Sequence, residues 1–454
     1  MYWRRDCPQA FKYLEILRRA EFEDSRLIEM RQWESLQKIL KHAGQNVPYY
    51  RDLFKNMGIR PEDIRTPGDL ERIPLLTKDL LQQHTSQLLQ TAGEEGNRLP
   101  NASGGSTGKP VRFYQDTFYW TFARASQWFA EGWWGIQPGD RIASIWGCDR
   151  DLPDMTWKER LRLKIEQTRL CNAFAMSEES MEKFAQMMVR WKPRYVTGYA
   201  SALEVFANFL LSRPDLVVRP HAVKSTAEAL FSAQRVAIEK AFEAPLYNFY
   251  GSREVNNLAA ECQAHEGLHI NSLGRYIEIV DELGKAQPPG KPGRIVVTDL
   301  TNFAMPFIRY AIEDVGSWRG KPCSCGRPFP LLERVWGRSS DFIVAPGGKL
   351  IHGEFFTHLF YNIPGIDQFR VVQRTKSEVR VDIVMQPGVS SVQTDLLRSR
   401  IADVMGPNVN CEIQVVTSIE RPASGKHRFT ISEVPVPWKE TSLENLEEAG
   451  PIQI

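Results

Sequence analysis

The feature that most constrains this chain is an alternation that sets in near residue 100. Short apolar, β-branched runs take turns there with longer amphipathic ones. "RIASIWG" (141–147) is of the first kind, and "RYVTGYASALEVFANFLLSR" (194–213) reads as a strand feeding an amphipathic helix. "EKAFEAPLYNFYGSREV" (239–255) repeats the step from helix to strand, and "RYIEIV" (275–280) and "GRIVVTDLTN" (293–302) are strands parted by turn residues. Such a series buries its apolar faces most simply as sheets covered by helices. The expectation is an α/β fold with sizeable sheets. With 454 residues the chain exceeds one ordinary core, so two or three domains follow.

The flanks differ from this centre. Residues 8–45 and 48–90 read as charged helices, with Pro, Asp and Thr at turn and helix-start positions in "RPEDIRTPGDLERIPLLTKDLL" (60–81). "FYWTFARASQWFAEGWW" (118–134) reads as a core helix rather than a substrate box. "GKPCSCGRPFPLLERVWGRSSDF" (320–342) breaks the alternation with Pro, Gly and Cys and marks a boundary near 337–341. Beyond it, "QFRVVQRTKSEVRVDIVMQ" reads as a β-hairpin, "SSVQTDLLRSRIADVMG" as a helix and "NCEIQVVTS" as a strand, a small α+β domain. The polar, acidic tail from about 436 is expected to fray.

Charge and cysteine exclude several classes. The 57 basic and 55 acidic residues leave a net charge of +2, which is no nucleic-acid footprint. No apolar run reaches the ~20 residues a bilayer span needs. The first residues, "MYWRRDCPQAFKYLEILRRAEFED", lack a secretory apolar core and cleavage site. The 7 cysteines are odd in number and scattered, unlike a disulfide framework. A cytoplasmic protein without membrane or nucleic-acid partners is expected.

"SGGSTGKP" (103–110) suits an anion. Gly104, Gly105 and Gly108 let backbone N–H groups approach an oxygen; Ser103, Ser106 and Thr107 add hydroxyl donors; Lys109 adds charge. It is not a P-loop. That pattern needs four residues between its first Gly and Gly-Lys, followed by Ser or Thr. Here Gly104 has only three, Ser103 stands one position earlier, and Pro110 follows the lysine.

The loop resembles the "SSGTTGKP" signature of adenylate-forming enzymes, the acyl-CoA synthetase superfamily. Counterparts to further signatures of that superfamily follow in order: "STAEAL" (225–230), "YGSREV" (250–255), "RYAIEDVG" (309–316), "GRSSDFIVAPGGKLIHGEFF" (337–356) and "SGKHRF" (424–429). "VPYYRDLF" (47–54), "IPLLTKDLL" (73–81) and "CSCGR" (323–327) are similar to the phenylacetate–CoA ligase branch. The resemblance runs from about residue 40 to 435. It implies a large ATP- and acyl-binding domain over 1–337 and a small, mobile lid over 338–454, hinged near 338–341.

The chemistry so implied has two halves. A carboxylate attacks the α-phosphate of ATP, and the acyl-adenylate then passes to a second nucleophile, usually the thiol of CoA. Residues 103–109 would hold the β- and γ-phosphates. Tyr250 would stack on adenine, with Gly251, Ser252 and Glu228 beside the nucleotide. Asp314 would accept from the ribose hydroxyls, and Arg338 would reach ribose or phosphate. Glu254 would bind Mg²⁺, a hard cation that prefers carboxylate oxygen. Lys426 would bridge the carboxylate and the α-phosphate in the transition state. Three positions depart from the pattern: Arg253 replaces the usual Thr or Ser, Ser340 replaces the usual hinge Asp or Lys, and Arg428 comes one residue early. Arg253 can meet phosphate itself or pair with a carboxylate.

A metal site is read from the residues as well. Cys262 and His265 stand i, i+3 in "ECQAHEGLHIN", and Cys323 and Cys325 follow in "PCSCGR". Three thiolates and an imidazole suit tetrahedral, structural Zn²⁺; His269 is the rival fourth ligand. Trp146, Tyr199, Ala227 and Phe249 are the expected acyl-pocket lining, suited to an aryl or arylacetic acid. The expected function is ATP-dependent activation of a small carboxylic acid with transfer to CoA. An amine acceptor, or nucleotidyl transfer alone, is the alternative, and a non-catalytic zinc scaffold ranks last. The branch also leaves room for a homodimer.

Overall fold

The computed structural model describes residues 3–434 apart from 92–96, 103–110, 147–156, 174–175, 339–341, 348–349, 353–354, 357–358, 361–362, 387, 390–392 and 420–428. Ser103–Lys109, Ser340 and Lys426 therefore lie outside the described residues. These residues divide into two compact units. The first is Met1–Glu278, Val296–Ile312 and Arg319–Arg334; the second is Ile279–Ile295, Glu313–Trp318 and Val335–Ile454.

The first unit opens with helices α1 (Trp3–Ala20), α2 (Ser25–Asn46), α3 (Pro48–Met57), α4 (Pro67–Leu70) and α5 (Lys78–Gln83). Their ends follow from local chemistry. Asp24 caps α2 by accepting from the Arg26 N–H, Pro48 opens α3, and Gly58 closes it at φ 63°. Strands β1 (Leu99–Ala102) and β2 (Arg112–Gln115) pair antiparallel and flank residues 103–110. Helix α6 (Thr117–Trp133) is capped by Asp116 and is largely buried, as its sequence implies.

The alternating region then forms β3 (Ile142–Trp146), α7 (Trp157–Ile165), β4 (Thr168–Asn172), α8 (Glu178–Trp191), β5 (Tyr195–Tyr199), α9 (Ala200–Leu211), β6 (Ala222–Thr226), α10 (Ser232–Phe242) and β7 (Leu246–Ser252). Next come β8 (Asn256–Glu261), β9 (Leu268–Ile270), β10 (Arg275–Val280), β11 (Gly293–Asp299), β12 (Tyr310–Trp318) and β13 (Leu331–Arg338). The main sheet has 11 strands in the order β10-β11-β12-β13-β9-β8-β7-β6-β5-β3-β4. The division between units runs through β10, β11, β12 and β13 rather than between sheets. The stretch β7-β6-β5-β3-β4 is parallel throughout, as helix crossovers require, while β8 runs antiparallel to β7 and β9 to β8.

Alternate side chains of these strands enter two cores. One holds Val196, Val223 and Leu246 with α8, α9 and α10; the other holds Tyr195, Ala222, Tyr247 and Phe249 with α1 and α6. Lys224 is a cation inside a strand, and its burial needs a partner. Its Nζ lies 2.8 Å from Glu131 Oε1, which also accepts from the Tyr195 hydroxyl at 2.9 Å and the Gln127 amide at 2.7 Å. Burial acts against the Glu131 carboxylate, but Lys224 together with the Gln127 and Tyr195 donors holds the carboxyl below its ordinary value. This pair fastens α6 to β6.

The second unit continues with β14 (Phe342–Val344), β15 (Leu350–His352), β16 (Ile366–Thr375), β17 (Glu378–Met385), α11 (Thr394–Met405), β18 (Asn410–Val415) and β19 (Thr430–Ser432). The expected hairpin is β16–β17, and β18 and β19 join it in parallel, giving the order β18-β17-β16-β19. Leu397, Ile401 and Met405 of α11 pack on Val371, Val381 and Ile383, so this unit has its own core. Among the described residues no helix is long and apolar enough to cross a membrane.

Candidate active site and metal centre

The carboxyl ends of β3, β5, β6 and β7 lie side by side, the edge at which parallel sheets present ligand-binding residues. Trp146 ends β3 and Tyr199 ends β5, and their rings meet at 4.3 Å. Ala227 follows β6 and packs with the same core, in the left-handed region at φ 68°, where a non-glycine residue is strained. Next to it, Glu228 Oε2 accepts from the Ser201 N–H at 2.9 Å. A carboxylate at the first turn of α9 complements the helix dipole and fixes the 225–230 segment. Phe249 does not join this group. It is 7% exposed and packs in the other core, edge-on to Trp134 at 6.3 Å, although it lies in register with Thr226 of β6 and, through Thr226, with Tyr199 of β5. Its ring packs with Tyr195, Ala222 and Tyr247 rather than on the Trp146–Tyr199 pair.

Tyr250, Gly251 and Ser252 end β7, and Arg253–Val255 make the turn into β8. Gly251 is required here, since a Cβ would stand 2.6 Å from the Asn256 carbonyl oxygen. Ser252 Oγ accepts from the Val255 N–H at 3.2 Å and tightens the turn. Three successive carbonyls are then held from outside. Gln115 Nε2 donates to Arg253 O at 3.3 Å and to Glu254 O at 3.0 Å, and Arg275 Nε donates to Val255 O at 2.7 Å. Arg275 is itself fully buried and paired with Asp299 at 2.9 Å. The backbone of Glu254 is thus fixed while its side chain is half-exposed. Arg253 is exposed.

The N-terminal motifs buttress the neighbouring segment 306–310. The Tyr50 hydroxyl donates to Pro306 O at 3.0 Å and accepts from the Ile308 N–H at 3.1 Å. Leu76 bridges to Tyr310, and the buried Arg309 guanidinium meets Glu278 at 3.0 Å. In the second unit, Asp314 on β12 is half-buried and follows Glu313, whose φ is 71°. Arg338, at the end of β13, approaches Glu313 at 4.0 Å.

The candidate metal centre belongs wholly to the first unit. Cys262 follows β8, His269 lies in β9, and Cys323 and Cys325 precede β13; β9 lies between the other two strands. The four ligand atoms fall within 4.8 Å of one another. Cys262 Sγ and Cys323 Sγ are 3.6 Å apart, and Cys325 Sγ is 3.2 Å from His269 Nε2. A tetrahedral Zn²⁺ with Zn–S near 2.3 Å sets S···S at about 3.8 Å, so the donor set fits. His269 Nδ1 lies 3.1 Å from Phe329 O and donates to it, which leaves the Nε2 lone pair facing the thiols. Burial pushes His269 down to about 4, keeping the imidazole neutral as a ligand must be. Burial raises the Cys262 and Cys323 thiols, so a cation is needed to favour their thiolates. His265 is not in this cluster, contrary to the spacing argument. It sits on a turn at φ 53°, stacks on Tyr247 at 5.2 Å and meets Glu261 Oε1 at 3.2 Å. The signal for His269 was an isolated histidine inside a buried strand, which spacing alone ranks below an i, i+3 pair.

Comparison with known proteins places these features. Residues 343–433 match the model of the CapK C-terminal domain. The phenylacetate–coenzyme A ligase of Escherichia coli K12 is 30% identical over 334 residues, 70% of this chain and 72% of the relative. That of Aromatoleum evansii is 28% identical over 355 residues, 74% and 76% of the two chains. Protein CapK of Staphylococcus aureus is 22% identical but spans 93% of this chain and 92% of its own. A solved 2-hydroxyisobutyryl-CoA ligase, in the postadenylation state with an acyl-AMP, superposes with TM-score 0.70 at 21% identity and covers 91% of each chain. Its fold is therefore the fold described above. With the 225–230 and 250–255 segments following neighbouring parallel strands, and a ligase relative covered over most of its length, this chain belongs to the phenylacetate–coenzyme A ligase family of adenylate-forming enzymes.

Proposed function

We propose that the protein is an AMP-forming acid–CoA ligase. The observation that carries this reading is the braced Tyr250–Glu254 turn at the carboxyl edge of the parallel sheet, in a chain of this family. In the first half-reaction a substrate carboxylate oxygen attacks the α-phosphorus of ATP. The bond to the bridging oxygen breaks, and pyrophosphate leaves. In the second, the CoA sulfur attacks the acyl carbonyl, the acyl–phosphate C–O bond breaks, AMP leaves, and the thiol proton passes to solvent.

The residues divide this work by chemistry. Tyr250 offers a ring face to adenine beside Gly251, Ser252 and Glu228, and Glu254 offers a carboxylate to Mg²⁺ on the phosphates. Arg253 supplies charge where relatives use a hydroxyl. Residues 103–109 take the β- and γ-phosphates, and Lys426 meets the reacting α-phosphate. Asp314 accepts from ribose, and Arg338 serves ribose or phosphate. Residues 338–454 act as the small lid domain of this scheme, with the hinge near 338–341. Cys262, His269, Cys323 and Cys325 hold a structural Zn²⁺; four protein ligands leave no open position for catalysis. The Trp146–Tyr199 pair beside Ala227 favours an acid with a flat, apolar body, as in arylacetic acids.

Acid-dependent ATP–pyrophosphate exchange, run across a panel of aryl, arylacetic and aliphatic acids, tests the reading. Exchange with at least one acid is expected, and none with any acid would sink it. The alternative acceptor is an amine, to which the adenylate would pass in place of CoA. AMP release that follows added amine but not CoA would select it.

A further inference from the structure

Gln115 ends β2 with no exposed surface. Its side-chain amide is fully used. Nε2 donates to Arg253 O and Glu254 O, and Oε1 accepts from Asn101 Nδ2 at 3.0 Å. This network also fixes which amide atom is oxygen, because two carbonyls and the Asn101 amide N–H₂ face it. Asn101 sits on β1, opposite Phe113, and its own Oδ1 accepts from the Ala102 N–H at 2.8 Å. One side chain therefore joins both strands of the β1–β2 hairpin to two consecutive carbonyls of the β7–β8 turn. The next residue extends the joint: Asp116 Oδ2 accepts from the Phe303 and Ala304 N–H groups at 2.8 and 3.2 Å.

A buried glutamine that merely satisfied stray backbone groups would face one element. This one faces two, and each carries charge-handling residues of the proposed reaction. We propose that Gln115 is a positioning residue, which sets the backbone of Glu254 relative to the β1–β2 hairpin and so the register of the metal-binding carboxylate. The inference rests on the ligase reading and concerns the strands, not the conformation of residues 103–110. No covalent step involves Gln115. It acts through Glu254, and a displacement of about 1 Å at such a site is enough to cost about 10²-fold in rate.

Gln115→Met keeps the volume and removes all three hydrogen bonds. The full chain should remain folded, with kcat for acid-dependent exchange lowered about 10- to 100-fold and KM for the acid nearly unchanged. The Mg²⁺ concentration for half-maximal rate should rise, a readout that a purely structural role does not move. Gln115→Glu should be no better than Met, because a carboxylate accepts from Asn101 but repels the two carbonyls. Asn101→Ala should shift the Mg²⁺ dependence in the same direction but less. Adding it to Gln115→Met should do little more, since both act on one joint. An active, folded Gln115→Met with unaltered Mg²⁺ dependence overturns the proposal, as do independent, multiplying effects of the two positions. If Gln115→Met fails to fold, Asn101→Ala carries the decision by the same Mg²⁺ criterion. If the wild-type chain exchanges with no acid, the ligase reading has failed, and amide hydrogen exchange judges the joint. Faster exchange confined to residues 251–257 in Asn101→Ala supports it, and an unchanged pattern overturns it.

Discussion

The Cys262–His269–Cys323–Cys325 cluster and the Tyr250–Glu254 turn hang from neighbouring strands of one sheet, yet they are built in opposite ways. In the cluster, side chains from the end of β8, from β9 and from the segment before β13 converge inward, largely buried, with the His269 ring already held by Phe329 O. At the turn, the buried partners grip the backbone, and the functional side chains face outward. The difference separates two kinds of preorganisation. A structural ion is held by a closed side-chain cage, whereas a reactant that must come and go is met by exposed groups on a rigid backbone.

The comparison is broken most sharply by exchanging its terms. Glu254→Gln should lower exchange activity by about 10²- to 10³-fold while leaving the melting temperature and zinc content unchanged, because the carboxylate is absent only where charge develops. A comparable loss of stability, seen by calorimetry, would mean that the turn is not rigid without its side chain. His269→Ala should do the reverse. Zinc measured after dialysis should fall from about one per chain to a small fraction, with a lower melting temperature and earlier acid release, since protons compete for the thiolates. Retained zinc in His269→Ala would remove the imidazole from the ligand set. Tyr199→Ala sharpens the boundary between the sites: KM for an aromatic acid should rise about tenfold, from lost ring contact, with zinc content untouched. The smallest effect is expected of His265→Ala, which should keep full zinc and lose under about 1 kcal/mol in chemical denaturation, as befits a partly exposed ion pair.

These sites were unequally legible in the sequence. The alternating strands and helices carried the parallel sheet, since period and turn residues are local properties. Tyr250–Glu254 were legible as a motif, although nothing in the motif tells that the carbonyls are gripped from 138 and 139 residues away by Gln115. Glutamine before Asp-Thr at a strand end has no pattern of its own. The metal ligands were three-quarters legible. His265 has the better spacing, but a left-handed turn rotates it toward Glu261, and the deciding term was the β13–β9 pairing that sets Leu331 against His269.

The long reach of the N-terminal helices has a consequence for synthesis. Gln32 donates to Arg275 O across 243 residues, Tyr50 to Pro306 O across 256, and Arg327 meets Glu21 across 306. A chain emerging from the ribosome therefore makes α1 to α3 long before any of these partners exists. Their apolar faces must wait exposed, or be shielded by a chaperone, until more than half the polypeptide has appeared. These early segments are seated late.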